Sequence, residues 1–220
     1  ILASIIHDIK NSMSVVSNHV DGIMLDATLT DEMHTRAGIM QQEMRRANNQ
    51  LVQVLTLYKL DNQRLAPNVQ DNNVYDFLEE LMIEEKSLAE AQHIDISIEC
   101  DEWLSGYFDT DLVRGVLSSS IGNAKRYTED RVLLSADQEN GYLVIRVEDN
   151  GVGFPKSFLQ YDHTPDDANF GKAFSEGRTQ LGFFFAANIA RAHENQGRHG
   201  YIKLLNGHSL PGGCFELRLP

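Results

Sequence analysis

The sequence predicts an α+β chain in two unlike parts: an N-terminal antiparallel helical hairpin, then a sheet covered on one face by helices. Two observations predict this. The first sixty residues contain no Pro and repeat their apolar positions in steps of four and three. Beyond Pro67, period-two runs alternate with amphipathic helical ones. The boundaries that follow are 1–62 for the hairpin, 63–72 for a linker and 73–220 for the mixed part.

In the first helix the apolar seam is Leu2, Ile6, Ile9, Met13, Val16, Val20 and Ile23. In the second it is Met33, Ala37, Met40, Met44, Ala47, Leu51, Val54 and Tyr58. The mean spacing is the coiled-coil period. Residues 26–31 read as the turn, with Thr30 or Asp31 as the N-cap of the second helix. Two helices alone bury too little, so the seam predicts a second copy and a four-helix bundle in a homodimer. The heptad stops before Pro67, which ends any helix. A helix is expected over 74–91, and Ile94, Ile96 and Ile98 alternate as in a half-buried strand. A helix over 109–127 follows, capped by Asp109 or Thr110. Strands are expected at 131–136, 142–148, 201–205 and 215–219, with a last helix over 182–193. The stretch 154–180 has no period and is rich in Asp, Gly, Ser and Thr. A loop of that length reads as a lid or a disordered segment.

Composition excludes several functions. Of 220 residues, 42% are hydrophobic, enough for a packed core. Thirty-two acids against 19 bases give a net charge of −13. Such a surface repels phosphate backbones and anionic lipid, so no nucleic acid and no membrane contact are expected. Cys100 and Cys214 are too few for a disulfide framework or a four-thiolate metal centre, which fits a reducing, cytoplasmic setting. No apolar run reaches the length of a membrane span. The chain starts at Ile1 inside a helical pattern and reads as an excised piece of a longer protein, leaving room for an upstream anchor.

Four clusters carry chemistry. The first is His7-Asp8-Ile9-Lys10-Asn11-Ser12. His7 and Asn11 are four apart, so they share one helical face, turned from the seam. An imidazole beside a carboxylate is a usable nucleophile, since the acid accepts the proton from one ring nitrogen while the other attacks. The second is Glu148-Asp149-Asn150-Gly151-Val152-Gly153-Phe154-Pro155 at a strand end, where the carboxylate can accept from an exocyclic amine. Its glycines let the backbone approach a flat ring or phosphates. The same residues also suit an ordinary hairpin turn. The third runs from Ser119 to Thr128. Asn123, Arg126 and Tyr127 share a helical face there and suit Mg²⁺, a phosphate and an adenine respectively. A polar helix C-terminus is the plainer alternative. The fourth is Arg178-Thr179-Gln180-Leu181-Gly182-Phe183, an anion site at a helix start or simply an N-cap.

In this order the four clusters resemble those of the sensor histidine kinases of two-component systems, over essentially the whole chain. Residues 7–11 are similar to the H-box and 119–128 to the N-box. Residues 149–153 are similar to the G1 box and 178–183 to the G2 box. The closing stretch 211–220 resembles the family's final hairpin, and Phe170 and Phe174 stand near where an F-box would be. The resemblance implies a dimerisation and phosphotransfer hairpin followed by an α/β sandwich of the Bergerat (GHKL) ATPase type. It implies ATP and Mg²⁺ as cofactors and a response-regulator receiver domain as partner. The implied roles are the following: Asp149 holds the adenine amine, Asn123 ligates Mg²⁺, Arg126 touches phosphate and Tyr127 flanks the base. Gly151 and Gly153 shape the loop, and Thr179, Leu181 and Gly182 close over the phosphates. His7 takes the γ-phosphoryl group with Asp8 as proton acceptor. Asn11 orients water for dephosphorylating the partner, a phosphatase activity. The implied enzyme is a protein-histidine kinase. Ser119 and Gln180 depart from the usual Asn and Gly, Ser12 replaces the usual Pro, and residues 183–185 are bulky. These departures motivate an alternative, a dimeric phosphotransfer or phosphatase module with a degenerate nucleotide site.

Overall fold

The computed structural model describes residues 2–24, 30–62, 65–159 and 180–220; among these, the side chains of residues 2–8, 10 and 180 and of some other helical positions lie outside the description. The chain forms two units, Ile1–Leu65 and Ala66–Pro220.

The first unit is a pair of helices, α1 (Leu2–Met24) and α2 (Asp31–Asp61), packed on each other. Thr30 caps α2, its hydroxyl accepting from the Met33 N–H at 3.4 Å. The heptad explains which side chains meet. Val20 and Ala37 are buried, with Met13, Met44 and Leu51 half-buried in the same rows. The other half of the seam stays bare: Ile9, Val16, Ile23, Met33, Met40 and Val54 are 36–53% exposed. A heptad offers two apolar positions per repeat, and a two-helix hairpin covers one of them.

The second unit is built on a five-stranded sheet of order β2-β4-β5-β9-β8. Its strands are β2 (Asp95–Glu99), β4 (Arg131–Glu139), β5 (Tyr142–Asp149), β8 (Tyr201–Asn206) and β9 (Gly213–Leu219). Only β2 and β4 pair in parallel. Three helices cover one face: α3 (Val74–Ala91), α4 (Thr110–Tyr127) and α6 (Gln180–Ala192). A single turn, α5 (Lys156–Leu159), precedes the undescribed stretch. Two small antiparallel pairs complete the unit: β1 (Gln70–Asn73) with β3 (Ser105–Phe108), and β6 (Glu194–Asn195) with β7 (Arg198–His199). Side chains facing the helices make the core, among them Val132, Leu134, Ile145, Val147, Leu217 and Leu219, all buried.

The helices start where their caps allow. Asn73 accepts from Asp76 N–H at 2.9 Å to start α3, and Asp109 accepts from Leu112 N–H at 2.9 Å to start α4. The second oxygen of Asp109 accepts from Asn68 N–H at 2.7 Å, so the same carboxylate fastens the chain just after Pro67. Within the stretch 63–72, expected as linker, residues 70–72 lie in β1 and pair with β3. Their polar, unalternating sequence hides the strand.

The opposite face of the sheet is charged rather than apolar. The register places Val144, Arg146 and Glu148 beside Arg218, Glu216 and Cys214 on that face. Arg146 pairs with Glu139 and, at 2.9 Å, with Glu216; Arg218 reaches both acids. The hydrogen bond from Arg146 holds the Glu139 carboxyl below the usual carboxylate range.

His193 ties α6 to α4. It is buried, its Nε2 accepts from Asp109 N–H at 3.0 Å, and its Nδ1–H donates to the Ile189 carbonyl at 2.8 Å. Burial lowers its pKa below the ordinary value. The unfolded chain therefore binds the extra proton first. Stability from this residue is complete above about pH 6.5 and is lost as pH falls toward the lower folded value. Urea unfolding from about pH 8 to about pH 5 should show a shallower acid-side loss in His193→Gln than in the wild type. Parallel profiles would assign that loss to other groups.

Candidate functional site

The end of β5, the last turns of α4, the loop 150–155 and the start of α6 enclose a cavity of about 190 Å³. Asp149 ends β5 on the helix-facing side, because it follows Ile145 and Val147 at the period of a strand. It is 6% exposed. Its Oδ1 accepts from Gly151 N–H at 2.8 Å and Gly213 N–H at 3.2 Å. Its Oδ2 has no hydrogen-bond partner among the described residues, and the side chain lines the cavity.

The loop after Asp149 is held by two asparagines. Asn150 Oδ1 accepts from the Thr128 hydroxyl at 2.7 Å and from the N–H groups of Asp130 and Arg131 at 3.2 and 3.0 Å. Its amide donates to Asp130 at 2.7 Å. Asn206 accepts from Phe154 N–H at 2.7 Å and donates to the Phe154 carbonyl at 2.8 Å. The loop must pass so close to the end of α4 that a Cβ on Gly151 would be driven into the Tyr127 carbonyl. Gly153 has φ +74°, and a Cβ there would lie 2.8 Å from the Asn206 amide.

Four aromatic rings form the apolar wall. Phe183 meets Phe154 and Phe158 edge-on, with centroids at 5.9 and 6.0 Å, and stacks on Phe215 at 6.3 Å. Of the bulky residues 183–185, Phe183 thus goes into the wall of the cavity. The sequence places Phe154 in the second cluster and Phe183 in the fourth but gives none of the four rings a role in a wall. Two of the four have a signal, position, since Phe154 follows Gly153 and Phe183 follows Gly182 directly.

The predicted residues fall into four groups. Asn123, Tyr127, Asp149 and Gly153 line the cavity together. Asn123 makes no hydrogen bond among the described residues, and Tyr127 is 47% exposed. Gly151, Arg126, Leu181 and Gly182 lie outside the lining: Arg126 is exposed, Leu181 is half-buried and Gly182 backs onto α4. A Cβ on Gly182 would sit 3.1 Å from Ser119 Oγ, so the small residue lets α6 approach α4. Thr179, Arg178, Phe170 and Phe174 lie outside the described residues. His7 and Asp8 belong to α1, but their side chains are not described; Asn11, one turn on, is exposed.

This chemistry suits an adenine. The walls are flat and apolar, and the buried carboxylate of Asp149, with an oxygen that has no partner among the described residues, matches an exocyclic amine. Asn123 offers an amide oxygen, which fits a Mg²⁺ that keeps most of its ligands as water and phosphate.

Residues 108–220 match the family described as Histidine kinase-, DNA gyrase B-, and HSP90-like ATPase. Sensor protein SrrB of Staphylococcus aureus is 22% identical over 163 residues, which cover 72% of this chain and 28% of the relative. The chain thus spans about a quarter of the length of such curated relatives. Among solved structures, Acinetobacter baumannii histidine kinase AdeS superposes with a TM-score of 0.60 at 16% identity, covering 95% of each chain. Full-length ShkA in complex with AMPPNP gives 0.63 at 18% identity, covering 100% of this chain and 45% of that one. The nucleotide-free catalytic domain of histidine kinase ThkA gives 0.55 at 17% identity, over 70% of this chain and 95% of that one. These are likenesses of fold.

Proposed function

The chain belongs to the histidine kinase-, DNA gyrase B-, and HSP90-like ATPase family, as the catalytic region of a sensor histidine kinase, and on that basis we propose that it is an ATP-dependent protein-histidine kinase. It phosphorylates His7 and passes the phosphoryl group to an aspartate of a response-regulator receiver domain. The observation that carries this reading is the Oδ2 of Asp149, unpaired among the described residues, in a cavity walled by aromatic rings. There the carboxylate accepts from the adenine amine while Tyr127 flanks the base. Asn123 ligates Mg²⁺, and Arg126 neutralises phosphate charge at the rim. Gly151 and Gly153 set the loop, and the role of closing over the phosphates falls to Thr179, Leu181 and Gly182. ATP supplies the phosphoryl group. His7 forms the N–P bond as the bond to ADP breaks, and Asp8 takes the proton from the other ring nitrogen. Asn11 orients water for the reverse task, dephosphorylation of the receiver. The open cavity favours this reading over a module with a degenerate nucleotide site.

The hairpin acts as a homodimer in this proposal, because its bare rows of Ile9, Val16 and Ile23 and of Met33, Met40 and Val54 need a second copy to cover them. Among the described residues no helix is long and apolar enough to cross a membrane. The segment works on the cytoplasmic side, where ATP and the receiver are found.

Incubation with γ-labelled ATP and Mg²⁺ should place an acid-labile, base-stable label on the wild type and none on His7→Gln. Label that persists in that variant, or none on the wild type, would refute the kinase assignment.

A further inference from the structure

We propose that Glu148, His208 and Cys214 form a zinc site on the face of the sheet opposite the nucleotide cavity. Adjacent strand residues point to opposite faces, so Glu148 and Asp149 serve different sides of the same strand end. Glu148 and Cys214 are direct partners across β5 and β9, which sets the carboxylate beside the thiol. His208 arrives from the β8–β9 turn, with Nδ1 3.0 Å from Glu148 Oε1. One ligand atom from each of the three lies within 4.8 Å of the others.

A plain imidazole–carboxylate pair accounts for two of these groups but not for the third. The Cys214 thiol is fully buried and makes no hydrogen bond among the described residues. The carboxylate is already set up as a ligand. Its Oε2 accepts from the N–H groups of Ser209 at 2.8 Å and Leu210 at 3.2 Å, which fixes its plane and leaves Oε1 turned toward His208. One sulfur, one imidazole nitrogen and one carboxylate oxygen make a borderline-soft set that suits Zn²⁺ better than Mg²⁺ or Ca²⁺. His208 is 42% exposed, so ions have a way in. Burial, then the charges of Glu148 and Glu216, push the Cys214 thiol up to about 12, while Arg146 and Lys203 act against them. The ion must displace that proton to bind. Once bound, it pins the β8–β9 turn to β5. The same turn donates Gly212 N–H to the Asp149 carbonyl at 3.0 Å, so the site lies directly behind the adenine contact.

The test uses the untagged chain, stripped with a chelator and titrated with Co²⁺ as the spectroscopic stand-in for Zn²⁺. One ion per chain should bind with a thiolate-to-cobalt charge-transfer band, and Zn²⁺ should bleach it. The band should be lost in Cys214→Ser and in His208→Gln and kept in Cys100→Ser. Because His208 is exposed, its variant should fold normally, which circular dichroism checks. Zn²⁺ should raise the thermal midpoint of the wild type but not of His208→Gln. Absence of the band in the wild type, or its survival in either ligand variant, would overturn the proposal. Neither outcome bears on nucleotide binding, so this inference and the kinase reading can fail separately.

Discussion

Asp149→Asn should weaken ATP binding by about 100-fold while leaving the fold in place. The variant keeps an Oδ1 acceptor for the Gly151 and Gly213 N–H groups, so the loop remains anchored. What changes is the second oxygen, now an NH₂ that faces the adenine amine, donor against donor. A hydrogen bond to a charged acceptor contributes about 1.5–3 kcal/mol, and the opposed donors add to its loss. Calorimetry with a non-hydrolysable ATP analogue measures the affinity, and urea unfolding checks that stability is nearly unchanged. Equal affinities would remove Asp149 from the adenine site and, with it, the observation on which the kinase reading rests.

Gly151→Ala should be the most damaging single methyl in the second unit, with a loss of about 3 kcal/mol. The added carbon meets the Tyr127 carbonyl and the Thr128 Cα, both main-chain atoms at the end of α4. Main chain cannot rotate aside as a side chain can. Either the loop lifts from α4, breaking the bonds of Asn150 to Thr128 and Arg131, or α4 shifts. Each route also displaces Tyr127. The urea midpoint should fall and the affinity for the ATP analogue should fall with it. Gly122→Ala, whose added carbon meets nothing within 4 Å, is the matched control. Similar stability in the two variants would show that the loop tolerates the methyl.

The sequence carried the long elements because their periods are clean. The helix over 74–91 and the strand around Ile96 and Ile98 follow from spacing alone, and Asp109 caps its helix as its type suggests. The pairs β1–β3 and β6–β7 have no such signal. Gln70-Asp71-Asn72-Asn73 is polar throughout, and its strand exists only because β3 lies beside it. The last helix begins at Gln180, two residues before the expected start at Gly182. At the site, Asp149 and Asn123 were legible because their polar chemistry is sparse in an apolar setting. The wall of Phe154, Phe158, Phe183 and Phe215 was not, since its rings come from separate segments that only the folded chain brings together. Within the expected linker, the capture of Asn68 by Asp109, far along the chain, likewise has no local signal.

Among the described residues of the second unit, the face of the sheet turned away from the helices carries the ion pairs of Arg146 and Arg218 with Glu139 and Glu216 and no helix. An apolar roof would be sticky and would need a lid of its own. Here the hydrocarbon stems of the arginines cover the strands while their tips satisfy one another, so the surface is closed without inviting company. Since the hydration that ions give up is worth less as temperature rises, such a roof should loosen later on heating than a greasy one of equal area.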